Sequence, residues 1–176
     1  MALRLVDVPG ETFGDTARAI GISQSMAHGS VGRLRDAGLL RADARQVNRL
    51  ALLEFLEHGV RYAFPAHPGA VVRGVPTAHS APPWADHIVA EDVLVWPAAS
   101  GTVRGAALAP LYPRAAELPE RSPRLYQSLA LVDAIRAGRA RELDDPNGED
   151  LLAAHLNNAQ DPAATAVPGE PRRPAR

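Results

Sequence analysis

The stretch Thr12–Leu40, TFGDTARAIGISQSMAHGSVGRLRDAGLL, decides how the rest of this 176-residue chain is read. Thr12 stands where an N-cap belongs, and Asp15 takes the third position after it, where a capping box usually has Glu or Gln. Phe13, Ala17 and Ile20 come next at spacings of four and three, which puts them on one helical face and makes that face the buried one. Gly21 supplies the exit, Ile22 is the apolar residue inside the turn, and Ser23 caps the second helix. Ala27, Val31 and Leu34 then repeat the same spacing, and Leu39 extends the buried set past Asp36-Ala37-Gly38. The pattern predicts two short amphipathic helices joined by a tight Gly-Ile-Ser turn.

This is the sequence form of a helix-turn-helix, in which the second helix is the one presented to DNA. The face of that helix opposite the apolar residues carries Gln24, Ser25, His28, Gly29, Gly32 and Arg33. Two glycines inside a helix cost about 1 kcal/mol each relative to alanine. Close approach of the backbone to a phosphate would account for the missing bulk. A weak helix tolerated because its other face packs well is the alternative.

Order and residue types over 12–47 resemble the winged helix-turn-helix of MarR-like bacterial transcriptional regulators. There a G-[IL]-S turn precedes the recognition helix and R-L-x-x-x-G-L-[LIV] leads into the wing. Gly21-Ile22-Ser23 and Arg33-Leu34-Arg35-Asp36-Ala37-Gly38-Leu39-Leu40 stand in those places. The resemblance implies a recognition helix over about 24–37, with Gln24, Ser25, His28 and Arg33 facing the major groove and Thr12, Ser23 and Gly29 beside them. Leu39-Leu40-Arg41 and Gln46-Val47 would be the wing strands, with Arg41 and Arg45 reaching phosphates or the minor groove. It also implies double-stranded DNA as partner and a homodimer that supplies the second half-site. The chain departs from the family in Met1–Val8, a stub where a full first helix normally crosses the back of the motif. Either the sequence starts late, or another segment fills that groove.

Composition agrees with such a role and excludes others. The length suits one ordinary domain, or a unit of about 60 residues with a second of similar size. The chain is 46% hydrophobic and 22% charged, and no apolar run approaches the roughly 18 residues that span a bilayer. With no secretory pattern at the N-terminus, a cytoplasmic protein with no membrane partner is expected. Cysteine is absent, which removes disulfides, thiolate metal sites and thiol nucleophiles. Every one of the 19 basic residues is arginine, so a Walker A loop and a Schiff-base enzyme are excluded by chemistry. Net charge is −1, yet between Ser23 and Leu50 Arg33, Arg35, Arg41, Arg45 and Arg49 face only Asp36 and Asp43. Phosphate contacts are made by such local surplus, although a solvated helix face reads the same way.

Downstream, Asn48 caps RLALLEFLEHGVRYAF, whose Leu52, Leu53, Phe55, Leu56 and Val60 form an apolar face too broad for a lone surface helix. Its packing partner is the back of the helix-turn-helix, the following segment, or the same helix of a second subunit. From Pro65 to Pro119 proline and glycine interrupt every few residues, and short extended runs stand at Ala70–Arg73, Val93–Trp96 and Thr102–Arg104. Val72-Arg73-Gly74 and Val103-Arg104-Gly105 echo one another, as paired strands would. Ser122-Pro123 is a strong helix start, and Leu125, Leu129, Val132 and Ile135 make one buried stripe ending at Gly138. A last short helix is expected over Glu149–Leu156 and a disordered tail from Gln160.

The expected fold is therefore α+β, with an N-terminal winged helix-turn-helix, a helix, an irregular β-containing segment and C-terminal helices. Residues 1–64 form the DNA-binding unit, 65–159 a regulatory or dimerisation unit, and 160–176 the tail. His67, His79 and His87, near Asp86, Glu91 and Asp92, lack the spacing of a helical metal site, and Ser80 lacks a nucleophile elbow. No enzyme, metal or cofactor is expected, and Thr77, His79 and Ser80 are assigned to hydrogen bonding in a tight loop. The expected function is that of a DNA-binding transcriptional regulator. The alternative is an antitoxin-like or adaptor subunit that grips a protein partner through its middle and C-terminal regions.

Overall fold

The helix that begins at Ser122-Pro123 carries the rest of the molecule. A computed structural model describes residues 1–41, 46–82, 85, 92–137 and 153–157, and among these it shows a mixed α+β fold. The helices are α1 (Ala2–Asp7), α2 (Phe13–Ile20), α3 (Gln24–Asp36), α4 (Arg49–Glu54), α5 (Val60–Ala63), α6 (Leu118–Arg121) and α7 (Pro123–Arg136). The strands are β1 (Val71–Pro76), β2 (Leu94–Pro97) and β3 (Val103–Ala107). The expected helix 149–156 lies partly outside the described residues, with 153–157 helical. The expected tail, 160–176, lies wholly outside them.

Two expectations for α7 are corrected. In place of one stripe, α7 buries Leu125, Tyr126, Ser128, Ala130, Leu131, Val132, Ala134 and Ile135, together with Asp133 and Arg136. It is covered on all sides, and the apolar spacing could not show this because part of the buried surface is alanine, serine and an internally paired charge. Ser122 does not cap the helix with its side chain. Its hydroxyl instead accepts a 3.0 Å bond from Arg4 of α1, while Pro123 fills the first helical position, where no N–H is needed.

The Asp133 carboxylate ties distant segments to α7. It accepts hydrogen bonds from Thr77 Oγ1 at 2.9 Å, just past β1, and from Trp96 Nε1 of β2 at 2.6 Å. Arg136 pairs with it one turn on and donates to the Phe64 carbonyl at 2.8 Å, beyond α5. Burial raises the Asp133 pKa, and the bonds and charges of Trp96, Arg136 and Thr77 work against that rise. Trp96 meets Tyr126 edge-on with ring centroids 5.7 Å apart, and the Tyr126 hydroxyl donates to the Pro76 carbonyl at 2.8 Å.

The sheet is a small closed one. β1 pairs antiparallel with β3 from Val71↔Ala106 to Gly74↔Val103, and antiparallel with β2 from Gly74↔Pro97 to Pro76↔Val95. β2 lies parallel to β3, which closes the ring. The echoed tripeptides are partners, Arg73 standing opposite Arg104. A Cβ at Gly74 would collide with the Trp96 carbonyl and one at Gly105 with that of Val93, so glycine is required where the strands approach so closely.

The helical region packs along α7 as well. Asn48 caps α4 as expected, accepting from the Ala51 amide at 3.4 Å, and the helix runs through a π-turn, Phe55–Gly59, into α5. Leu52, Leu56 and Val60 share one core with Val6 and Ile20 on one side and Leu125, Leu131 and Val132 of α7 on the other. The broad apolar face thus packs both on the back of the α2–α3 pair and on the following segment.

Two predictions concern stability. Asp133→Leu leaves Arg136 buried without its counter-charge and the Thr77 hydroxyl and Trp96 N–H without an acceptor, so urea unfolding should show a loss of about 3–5 kcal/mol, of which the Asp133→Leu, Arg136→Met double variant recovers only the part due to the unpaired charge. A second cluster joins Asp7 of α1 to Arg124 at 3.2 Å, and Ser128 to His155 Nε2 at 2.9 Å. Burial pushes Asp7 up to about 6 against the pull of Arg124, and burial with the nearby Arg124 charge pushes His155 down to about 4. The Asp7 contribution is fully present below its unfolded value and lost as pH rises through about 6. The His155 contribution is present above its unfolded value and lost as pH falls toward about 4. Thermal unfolding between pH 6.5 and 4 should therefore show His155→Gln gaining stability on acidification relative to wild type, and Asp7→Asn losing it.

Candidate nucleic-acid interface

Local chemistry sets the α2–α3 pair. The Thr12 side chain accepts from the Asp15 amide at 3.1 Å and donates to the Asp15 carboxylate at 2.6 Å, and Arg18 pairs with Asp15 at 2.8 Å. The Thr12 and Arg18 bonds hold the Asp15 carboxyl below its ordinary value. Gly21 ends α2 in the left-handed region at φ 67°, and the Ile22 amide reaches back to the Ala17 carbonyl at 2.9 Å. Ser23 then caps α3 by accepting from the Met26 amide at 3.2 Å. The inner face of α3 buries Ala27 and Val31, with Val31 packed on Leu5 of α1 and on Leu40.

Beyond α3 the chain turns back on itself. Leu40 and Val47 form an antiparallel bridge, flanked by the Arg41 amide on the Gln46 carbonyl at 3.0 Å and the Asn48 amide on the Leu39 carbonyl at 3.0 Å. These bonds form the base of a short hairpin. Its tip, 42–45, lies outside the described residues, and with it the candidate Arg45.

The remaining candidates, Thr12, Ser23, Gln24, Ser25, His28, Gly29, Arg33 and Arg41, are all exposed. Gln24, Ser25, His28, Gly29 and Arg33 lie on α3 itself, Thr12 and Ser23 cap the two helices, and Arg41 stands at the hairpin base. Arg33 folds back along α3, donating to Ser30 Oγ at 3.1 Å and lying 3.4 Å from where a Gly29 Cβ would be. At Gly32 a Cβ would meet nothing within 4 Å. Packing within the chain therefore does not require glycine at Gly32.

Charge pairing divides the arginines. Arg4, Arg18, Arg114, Arg121, Arg124 and Arg136 each pair with a carboxylate. Among the described residues Arg33 and Arg35 of α3, Arg41 at the hairpin base and Arg49 at the start of α4 form no such pair, and neither do Arg61, Arg73 and Arg104 elsewhere in the fold. Four of these seven thus stand on α3 or in the chain that follows it.

Sequence reasoning missed what holds the turn from behind. The Tyr112 hydroxyl donates to the Ile20 carbonyl at the end of α2, and Arg114 lies where a Gly21 Cβ would stand. Arg114 and Arg121 both bind Glu117, at 2.6 and 3.0 Å, and their bonds bring its carboxyl down to about 2. No periodicity links residues so far apart, and only the glycine was a visible signal.

In the Pro-rich segment, the Thr77 carbonyl accepts from the Ser80 amide at 3.1 Å within the loop while the Thr77 hydroxyl reaches out to Asp133, and the Ser80 hydroxyl accepts from the Leu94 amide at 3.0 Å. His79 Nε2 bonds the Asp92 carbonyl at 2.7 Å. His67 is exposed, and His87, Asp86 and Glu91 lie outside the described residues. Among the described residues no helix is long and apolar enough to cross a membrane. Comparison with models of known protein families, with curated proteins and with solved structures finds no match to this chain.

Proposed function

We propose that this chain is a DNA-binding transcriptional regulator of winged helix-turn-helix type, with α3 read into the major groove of double-stranded DNA and the Leu40–Val47 hairpin as its wing. The observation that carries this reading is the outer face of α3. It combines exposed amide, hydroxyl and imidazole side chains with arginines that have no carboxylate partner, and a glycine at Gly32 where the fold leaves a side chain room. Gln, Ser and His hydrogen-bond base edges or phosphates, and unpaired arginines neutralise phosphates and release counterions. Missing bulk lets the duplex approach the helix closely. Two copies on a symmetric site would supply the second half-site, since a single helix of this kind makes few contacts.

Two measurements test the reading. In a salt-titrated gel-shift on DNA flanking the protein's own gene, wild type should bind at low salt, and Arg33→Ala with Arg41→Ala should weaken binding and flatten its slope against log salt by about 1–2 units. No shift at low salt would sink the DNA reading and favour the adaptor one. Gly32→Ala separates function from fold. It should stabilise the protein by up to about 1 kcal/mol in urea unfolding, because alanine is the better helix former and has room, yet lower DNA affinity. A stabilised variant that binds DNA as tightly as wild type would show that close approach at Gly32 plays no part.

A further inference from the structure

The stretches that build the sheet, 65–81 and 93–116, hold no aspartate or glutamate, and their arginines are Arg73, Arg104 and Arg114. Arg114 is paired with Glu117. The other two are brought together by register, Arg73 of β1 standing directly opposite Arg104 of β3. The Arg73 carbonyl is turned away from β3 and accepts from the Ala98 amide at 3.2 Å, which marks a pair that exchanges no backbone bonds. In such a pair the Cα atoms lie about 4.5 Å apart and the two side chains leave the same face.

Like charges placed directly opposite destabilise a sheet. Nothing among the described residues relieves this pair: Arg73 gives one 3.4 Å bond to the Gly101 carbonyl, a neutral acceptor, and Arg104 makes no hydrogen bond or ion pair. Charged side chains on a strand often guard an open edge against pairing with another chain. That role is not needed here, because β1 pairs with both β2 and β3, and β2 with β3. Two positive charges are held side by side, and among the described residues no carboxylate answers them.

The face itself limits what can. Arg73 and Arg104 are exposed, and so is Val71, which alternation along β1 puts on the same face. An open face does not bury a small molecule as ligand sites do. An exposed apolar side chain beside two arginines is instead the composition of a protein-binding face. A guanidinium fork matches oxyanions, and one fork suffices for a carboxylate or for one phosphodiester of a nucleic-acid backbone, since each carries a single charge. Two forks at one place match a phosphate monoester, with about −1.5 to −2 charges at pH 7 and three acceptor oxygens.

We propose that the Arg73–Arg104 pair on the β1–β3 face docks a phosphorylated side chain of a protein partner. The site lies on the sheet, outside the helix-turn-helix, and stands apart from the DNA-binding reading.

The test uses the full chain, labelled with nitrogen-15, and the peptide acetyl-Gly-Val-phosphoseryl-Val-Gly-amide. The Nε–Hε signals of Arg73 and Arg104 should shift together on titration, with affinity about ten-fold or more above that of the same peptide carrying glutamate for phosphoserine. Arg73→Gln and Arg104→Gln should each weaken peptide binding about ten-fold. Without peptide, Arg104→Gln should unfold cooperatively in urea at a higher midpoint than wild type, because it removes a repulsion and no partner. Unshifted arginine signals, binding that neither substitution weakens, or a lowered midpoint in Arg104→Gln would overturn the site. Equal binding of the glutamate peptide would overturn the preference for a doubly charged group. Phenyl phosphate binding as tightly as the peptide would assign the pair to small esters, and a DNA duplex moving the same two signals as strongly would assign it to nucleic acid. Either result overturns the protein partner.

Discussion

The Asp133 carboxylate is the constraint around which the molecule is assembled. A carboxylate that is 1% exposed is costly unless its oxygens are satisfied, and three donors satisfy this one: a threonine hydroxyl and an indole N–H from distant segments, and a guanidinium one turn on in α7. Thr77 and Trp96 belong to segments that must come to α7 to make the bond, and each is left unpaired if another arrangement is taken. The bonds therefore act as position markers more than as a source of net energy. They fix the end of β1, the middle of β2 and, through Arg136, the end of the long helical rod at Phe64. Fourteen residues of α7 span about 21 Å.

Legibility in the sequence tracked the range of the interaction. Thr12, Ser23 and Asn48 cap their helices within three residues, so spacing alone located them. The paired tripeptides were visible because glycine must stand wherever the strands approach so closely, and the same residue types recur on both strands. Long-range pairings left no such trace. Ser122 looks like a cap, yet its hydroxyl serves Arg4, 118 positions away, and Thr77 looks like a loop residue, yet it serves Asp133, 56 positions away. The all-round burial of α7 was hidden because alanine, serine and a paired charge are not counted as apolar spacing. Exposure of Gln24, Ser25, His28 and Arg33 was legible, since an amphipathic helix fixes its outer face once its inner one is known. The clasp behind the turn was not.

Gly21 shows how two constraints can share one residue. Its left-handed φ suffices to explain glycine at the end of α2. The structure adds a second reason, because Arg114 occupies the space a side chain would need. A local turn signal was also the mark of a tertiary contact. From Arg114 the path runs through Glu117 and Arg121 of α6 directly into α7, and along α7 to Asp133 and the sheet. The turn in front of α3 is thus braced through the same helix that gathers the sheet.

Under the proposed reading, this bracing matters because α3 brings so little binding strength of its own. A reader with a handful of polar side chains and a few free arginines gains modest affinity from each copy, and its occupancy depends on two copies holding the correct separation. A ligand can shift a conformational equilibrium only by the difference in its affinity for the two states. Couplings of this kind are typically about 1–3 kcal/mol. That is small against a tightly held complex and large against one made of few contacts.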